Sequence, residues 1–537
     1  MIENTRKMSI RPFMFLFWLL WSAVPVPVQG VVPPSSLSTS STKPTTPLAN
    51  IFDLRGGAVG EPFVRTRRPP PPPKQSTWAW KNKSSSITKD NKDGAALASH
   101  VFNLIKSIVG AGVLGLPAGV AAFGNAPSAI VPALVLLVVI GSMSAYGFSL
   151  IGRLCSYTHT TSYRQVWEET VGPKSGWIPA LFCLLVTGCS VLAYSMILSN
   201  TIPALAAFLN DTWKITAQQG LLGITLAVLL PLCLLKDLKS LAPFSLVGII
   251  GMIYTATAMV VRFMQGTYRL PDIAPLGQHL ESGMDDVYYD MQRCLQEFGK
   301  SKCKPYMYSN YGSKGMSAVF SSNAFVLISM LSTAYMAHYN APKFYESLRD
   351  TPKFRTLVQW GFGGSILLMA LVTAAGYLTF GAASQSLILN NYNTHDMLMT
   401  ASRFAVTFSL LFSYPLAFVG VRDGVLEFAK VPPEKRTDTL LNTLTVILLA
   451  LVTALALLVS DLRLVMAFGG ATWGNALTYV LPSYMMHKYC QKLRAKSSSK
   501  KSAVDELVLK EWPWAMVNGL LGLAMGCIGT VSAIQSM

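Results

Sequence analysis

Uninterrupted apolar stretches of about 20 residues recur along this 537-residue chain, and no other feature limits its possible folds so severely. They are plain from Ala129 to Leu150, from Leu440 to Val459 and from Trp514 to Ile534. In hydrocarbon every backbone N–H and C=O must be satisfied within the protein, which leaves helices and closed barrels. Length without period-two alternation selects helices. Charged residues make up 13% of the chain, about half the share of an ordinary soluble domain, so a water-facing surface is excluded.

In a soluble protein the net charge of +18, from 44 Lys+Arg against 26 Asp+Glu, would suggest nucleic acid. Basic residues of membrane proteins collect instead in cytoplasmic loops, so the expected surroundings are a lipid bilayer and no nucleic acid. Spans are predicted near 99–123, 127–151, 177–199, 218–236, 241–263, 316–338, 357–380, 396–420, 440–460, 464–488 and 512–535. The expectation is therefore an all-α integral membrane protein of about eleven transmembrane helices. A cytosolic N-terminal tail places most Lys and Arg, including the block Lys488 to Lys510, on the inner side.

Three regions follow. Residues 1–30 read as a signal-like leader, with Arg6, Lys7 and Arg11 ahead of the apolar stretch Phe13 to Val24. Residues 31–95 are Ser/Thr/Pro-rich, poor in acids and expected to be disordered. Residues 96–537 form the membrane domain. Cleavage of an ordinary signal peptide would leave residue 31 outside, against the charge bias of the spans. Either the first apolar stretch is an extra anchor, or the leader is bipartite and the tail is an organellar transit segment. An endomembrane or vacuolar membrane, the plasma membrane and a plastid membrane all stay open.

Six of the eight cysteines lie in or beside spans and read as packing residues. Cys294 and Cys303 share the one long polar loop and are disulfide candidates if it faces an oxidising compartment. No CxxC, no His/Glu pair on one helix face and no intramembrane Asp pair occurs, so neither a metal centre nor a membrane-embedded enzyme is expected.

The first span, from His100 to Pro117, holds Gly110, Gly112, Gly115 and Pro117 within one short stretch. Glycine lets backbone leave helical geometry, and a break frees peptide groups that must then face protein or a wet cavity. Close GxxxG-like helix contact is the alternative for this span alone. The sixth span repeats the pattern, with Ser332, Thr333 and Tyr335 followed by His338, Asn340 and Pro342. Two interrupted helices separated by four intact spans fit two inverted five-helix repeats, with a ligand between them.

Several ordered stretches resemble the amino acid/auxin permease family over roughly residues 96–537. They are Asn103-x6-Gly110-x-Gly112-x-Leu114-Gly-Leu-Pro117, His338-Tyr-Asn-Ala-Pro342-Lys-Phe-Tyr345-Glu346, Gly376-Tyr-Leu-Thr-Phe-Gly381 with Ile388-Leu-Asn-Asn-Tyr392, and Gly469-Gly-Ala471-Thr472 with Leu481-Pro482. The resemblance implies the LeuT-like inverted-repeat fold of bacterial sodium-coupled amino-acid symporters. It further implies an amino-acid substrate driven by a proton or sodium gradient, with no bound cofactor. Carried over residue by residue, it implies that the peptide groups of Gly110, Ala111, Gly112 and Val113 hold a substrate carboxylate. Ser332, Thr333 and Tyr335 would then take the ammonium and side chain. For these three, ordinary interhelical hydrogen bonding is the alternative.

Lys106 departs from the sodium-coupled members, whose matching position looks to be Asn within a cation site shared with span eight, here Ser409 and Ser413; Asn103 lies one turn earlier. Proton-coupled members resemble this chain in having Lys. An amine in a partly dry helix interior can load and release a proton, which makes proton coupling the expectation. A fixed cation filling the site, or a lysine snorkelling to the inner interface, are the alternatives. His338 joins the coupling candidates because imidazole titrates near neutrality, with a hinge or capping role as its alternative. Arg403 and Asp423, near the ends of span eight, read as interface anchors. An amino-acid sensor using the same site is the rival to a carrier.

Overall fold

The computed structural model describes residues 97–210, 212–235, 242–268, 312–348, 350–429, 431–459, 461–495 and 502–535. The leader, the Pro-rich tail and the loop bearing Cys294 and Cys303 fall outside the described residues. Every regular element among those described is a helix. Nine of these helices are long and apolar enough to cross a membrane, and one further bent pair passes the same test when taken together.

The bent pair is α1 (Leu97–Ile108), followed after Val109 and Gly110 by a 3-10 turn over Ala111–Gly115 and then α2 (Leu116–Ala121). Its two halves meet at 44°. Continuous helices follow: α3 (Ile130–Thr158), the short α4 (Tyr163–Thr170), α5 (Trp177–Leu209), α6 (Ala217–Leu234) and α7 (Ala242–Gln265). α8 (Ala324–Ala334) stops after 11 residues, too few to cross hydrocarbon alone. A non-helical step and a 3-10 turn over His338–Asn340 lead into α9 (Ala341–Leu348). Beyond come α10 (Thr351–Phe380), α11 (Met397–Phe428), α12 (Asp438–Leu458), α13 (Leu462–Ala495) and α14 (Ala503–Gln535). Both expected interruptions are present, the second at Tyr335–Ala337.

Local chemistry sets the ends. Asp350, Asp396 and Thr437 cap the starts of α10, α11 and α12 by accepting hydrogen bonds from first-turn amides. α10 ends at Gly381, whose φ of 55° suits a residue without a Cβ.

α3 lies along α10, α5 along α11, α11 also against α7, and α13 along α14. α13 contains two successive π-helical segments, Gly470–Gly474 and Ala476–Val480, a distortion common at functional positions. A Cβ on Gly470 would stand 1.8 Å from the Ser329 carbonyl oxygen, so only glycine lets α13 approach α8 this closely.

One buried ion pair ties α3 to α14. Arg153 Nη2 contacts Glu511 Oε1, the Arg153 side chain being 7% exposed and that of Glu511 1%. Tyr146 Oη donates to the same carboxylate at 3.2 Å, and Arg153 Nη1 donates to Ser149 Oγ at 2.6 Å. Nothing in the linear pattern links residues 358 positions apart.

Removing one partner of a buried pair strands the other charge, which costs about 3–5 kcal/mol. Glu511→Ala is expected to lose stability on that scale in thermal unfolding of the detergent-solubilised protein. The double substitution Arg153→Met/Glu511→Met is expected to recover most of the loss, because no charge is then left buried.

Candidate functional site

The two interrupted segments lie side by side. A Cβ on Gly112 would meet Met466 Cε at 2.8 Å and the Ala334 Cα at 4.0 Å; one on Gly119 would meet Leu327 Cδ1 and Met330 Sδ at 3.0 Å. The outer half-helices α2 and α8 therefore pack on each other and on Met466 of α13, closing that side. No side chain caps the helical turn that begins at Ala111. The first N–H groups of such a turn have no intrahelical acceptor and carry partial positive charge, which suits a carboxylate.

On the side carrying the basic loops, a cavity of about 790 Å³ opens between α1, α4, α5, α9 and α11. Its mouth is charged, with Arg164, Glu168, Lys343, Asp423 and Glu427; further along lie Asn103, Lys106, Ser107, Tyr194, Asn340 and Ser413. Arg164 Nε donates to Glu168 Oε1 at 2.8 Å. Tyr194 on α5 reaches the first break: its hydroxyl lies 3.4 Å from where a Cβ on Gly110 would stand.

Lys106 Nζ is buried and has no hydrogen-bond partner. A Cβ on Gly248 of α7 would be 3.2 Å from Lys106 Cε and 2.6 Å from Ser409 Oγ, so lysine stem and serine hydroxyl converge on one glycine. Ser413 Oγ donates to the Ser409 carbonyl at 2.7 Å. The structure thus brings Lys106, Ser409 and Ser413 to one place, and Asn103 to the same cavity as Lys106 and Ser413.

The hydroxyls of the second break point elsewhere. Ser332 Oγ donates to the Ile328 carbonyl at 3.1 Å, Thr333 Oγ1 to the Met466 carbonyl at 2.6 Å, and Tyr335 Oη to the Leu137 carbonyl at 3.1 Å. None of the three lines the cavity. Ser332 bonds back within α8, whereas Thr333 and Tyr335 reach carbonyls of α13 and α3, the helices against which α8 lies. His338 is fully buried, its Nε2 2.9 Å from the Ser144 carbonyl and its ring set edge-on to Phe148 and Phe362. That geometry anchors the second break to α3.

Two sequence expectations are corrected. Arg403 is not an interface anchor: it is 2% exposed, and Nη2 donates to the Leu389 and Tyr392 carbonyls at 2.8 and 2.6 Å. Nη1 reaches the Asn393 carbonyl at 3.2 Å, so one guanidinium clasps the turn Ile388–Asn391 and its exit. Asp423 lines the cavity rather than anchoring a lipid face. Beside the clasp, burial works against ionisation of Asp396, but hydrogen bonds from Arg262 (2.6 Å) and Tyr268 (2.7 Å) outweigh it. They hold that carboxyl below its usual range. Tyr194, Gly248 and Glu427 carry no signal in the sequence beyond polarity or smallness in or just after a span, and Lys343 is visible there only as part of the stretch after Pro342.

A family described as "Transmembrane amino acid transporter protein" matches residues 94–275 and 298–532, well over half of the chain. The sodium-coupled neutral amino acid symporter 2 of Danio rerio is 24% identical over 424 residues, covering 77% of this chain and 80% of its own length. The amino acid transporter AVT6E of Arabidopsis thaliana is 23% identical over 471 residues, covering 84% and 85%. Among solved structures, a substrate-bound, outward-open Na+-coupled sialic acid symporter aligns with a TM-score of 0.45 at 9% identity, over 81% of this chain and 89% of that one.

The Arg403 clasp gives a stability test. Hydrogen bonds from a charged donor contribute about 1.5–3 kcal/mol each, and lysine cannot reproduce the guanidinium fork. Arg403→Lys is expected to lower hydrogen-exchange protection of the amides across 388–393 by about tenfold or more, the factor that roughly 1.4 kcal/mol of lost stabilisation produces. Protection in α14, which packs on α8 and α13, is expected to stay unchanged.

Proposed function

The chain belongs to the transmembrane amino acid transporter protein family, and from that premise we propose that it carries neutral amino acids by alternating access, coupled to protons through Lys106. It is a multi-pass membrane protein and not an enzyme. The observation that carries the coupling proposal is the Lys106 ammonium, buried without a partner where Ser409 and Ser413 of α11 converge. An ammonium standing in a cation site leaves little room for a metal cation, and an amine, unlike a metal ion, can discharge in place.

Substrate class follows from charge and backbone. Lys106, Arg164 and Lys343 balance Glu168, Asp423 and Glu427 along the cavity, which favours a zwitterion without net side-chain charge. Its carboxylate would lie at the uncapped turn starting at Ala111, with the Tyr194 hydroxyl alongside. In this assignment α8 supplies shape and closure, since Ser332, Thr333 and Tyr335 already donate to carbonyls. The cavity opens on the basic side while α2, α8 and α13 are packed on the other, which matches one end state of an alternating cycle.

Sodium coupling is the second reading, favoured by a relative named as sodium-coupled at 24% identity. Purified protein in liposomes separates the two. Uptake of a neutral amino acid is expected to follow an imposed acid gradient in sodium-free buffer, and a sodium requirement at constant pH would overturn proton coupling. Binding without flux under any gradient would instead make the protein a sensor. Lys106→Asn is expected to flatten the pH dependence of uptake; an unaltered profile would clear Lys106 of the role. Tyr194→Phe is expected to raise KM about fivefold with kcat nearly unchanged, the effect of one lost hydrogen bond of roughly 1 kcal/mol.

A further inference from the structure

Gly248 belongs to α7, which supplies no group to the cavity, yet it abuts both the Lys106 stem and the Ser409 hydroxyl. It is buried, and its absent side chain is the space that the Lys106 stem and the Ser409 hydroxyl occupy. A Cβ there would stand 2.6 Å from Ser409 Oγ, inside the distance at which something must move, and 3.2 Å from Lys106 Cε. The helix that carries the serine has little freedom to retreat, because α11 is packed along both α5 and α7. The lysine has a flexible four-carbon stem and the open cavity beside it. Crowding at Gly248 therefore displaces the lysine stem and the serine hydroxyl rather than the helices, and the lysine yields towards the cavity.

We infer that Gly248 is a positioning residue for coupling: by withholding a side chain from the junction of α1, α7 and α11, it keeps the Lys106 amine buried near Ser409, at the edge of the cavity that the rest of the Lys106 residue helps to line. The inference deepens the coupling proposal and rests on it. The charged groups sharing the cavity are Arg164 and Glu168, paired with each other at 2.8 Å, Lys343 of α9, and Asp423 and Glu427 of α11. The phenols Tyr163, Tyr194 and Tyr339 and the thiol Cys183 also line it, and α7 adds no titratable group. An amine displaced into this cavity exchanges a dry environment with one serine hydroxyl for water and two facing carboxylates. Its proton affinity and its accessibility both change.

Two readouts test this, one of them independent of transport. In reductive methylation of the purified full-length protein, followed by mass spectrometry, Lys106 in Gly248→Ala is expected to react about tenfold faster than in the unaltered chain, as for a lysine moved from interior to solvent. In proteoliposomes the pH profile of uptake is expected to shift by about one unit, the change that a tenfold difference in proton affinity produces. Unchanged methylation together with an unchanged profile would overturn the inference. Should Gly248→Ala fail to fold, Gly248→Ala/Ser409→Gly removes the 2.6 Å contact, keeps the one to the lysine stem, and is expected to give the same faster methylation. Lys106→Asn separates the two levels. If it leaves the pH profile intact, the coupling proposal fails, whatever the methylation result. If it flattens the profile while Gly248→Ala alters neither readout, only the role of Gly248 fails.

Discussion

Peptide groups in hydrocarbon have no water to turn to, and the rest of this structure depends on how that constraint is met and where it is relaxed. Among the described residues, nine long helices satisfy it internally. The first span and α8 do not continue as regular helix through their full length, and the peptide groups released there can persist only against protein or a wet space. They stand against each other, Gly112 beside Ala334, with Tyr194 reaching the first from the cavity. The same physics explains the close approach of Gly470 to Ser329 and the bonds that Thr333 and Tyr335 make to carbonyls of neighbouring helices, with Ser332 bonding back within α8.

Charge is handled in three different ways. Arg153 and Glu511 neutralise each other inside the protein, joining α3 to α14. Arg403 neutralises nothing and instead gathers three backbone carbonyls, turning a buried cation into a scaffold for an irregular segment. Lys106 has neither a counter-ion nor a hydrogen bond, and of the three it is the one whose environment offers it nothing to keep. A group with a fixed partner is a structural element. A buried amine without one can change its protonation, which is why the coupling proposal rests on Lys106 and a structural part falls to the two arginines.

Much of this architecture could be read directly from the residues. Apolar runs located the spans, because the only helix that hydrocarbon accepts has a length set by bilayer thickness. The glycines and proline between Gly110 and Pro117, and the small hydroxyl residues ahead of Pro342, located both interruptions, because helix breaking is a local property of the chain. Lys106 stood out for a similarly local reason, as a charge within an apolar span. The roles of Ser332, Thr333, Tyr335 and Arg403 were not legible in the same way. A hydroxyl or guanidinium reads alike from sequence whether it faces a ligand, a carbonyl or a headgroup.

By itself, then, the sequence determined that the chain crosses a membrane as helices, where two of them give way and which charge is out of place, since each of these depends on neighbours a few residues apart. Tertiary structure alone decided that Glu511 answers Arg153, that Tyr194 reaches Gly110, that Arg403 turns inward and that Gly248 makes room for Lys106. Those relations join residues tens to hundreds of positions apart, and helix packing rather than local chemistry selects them.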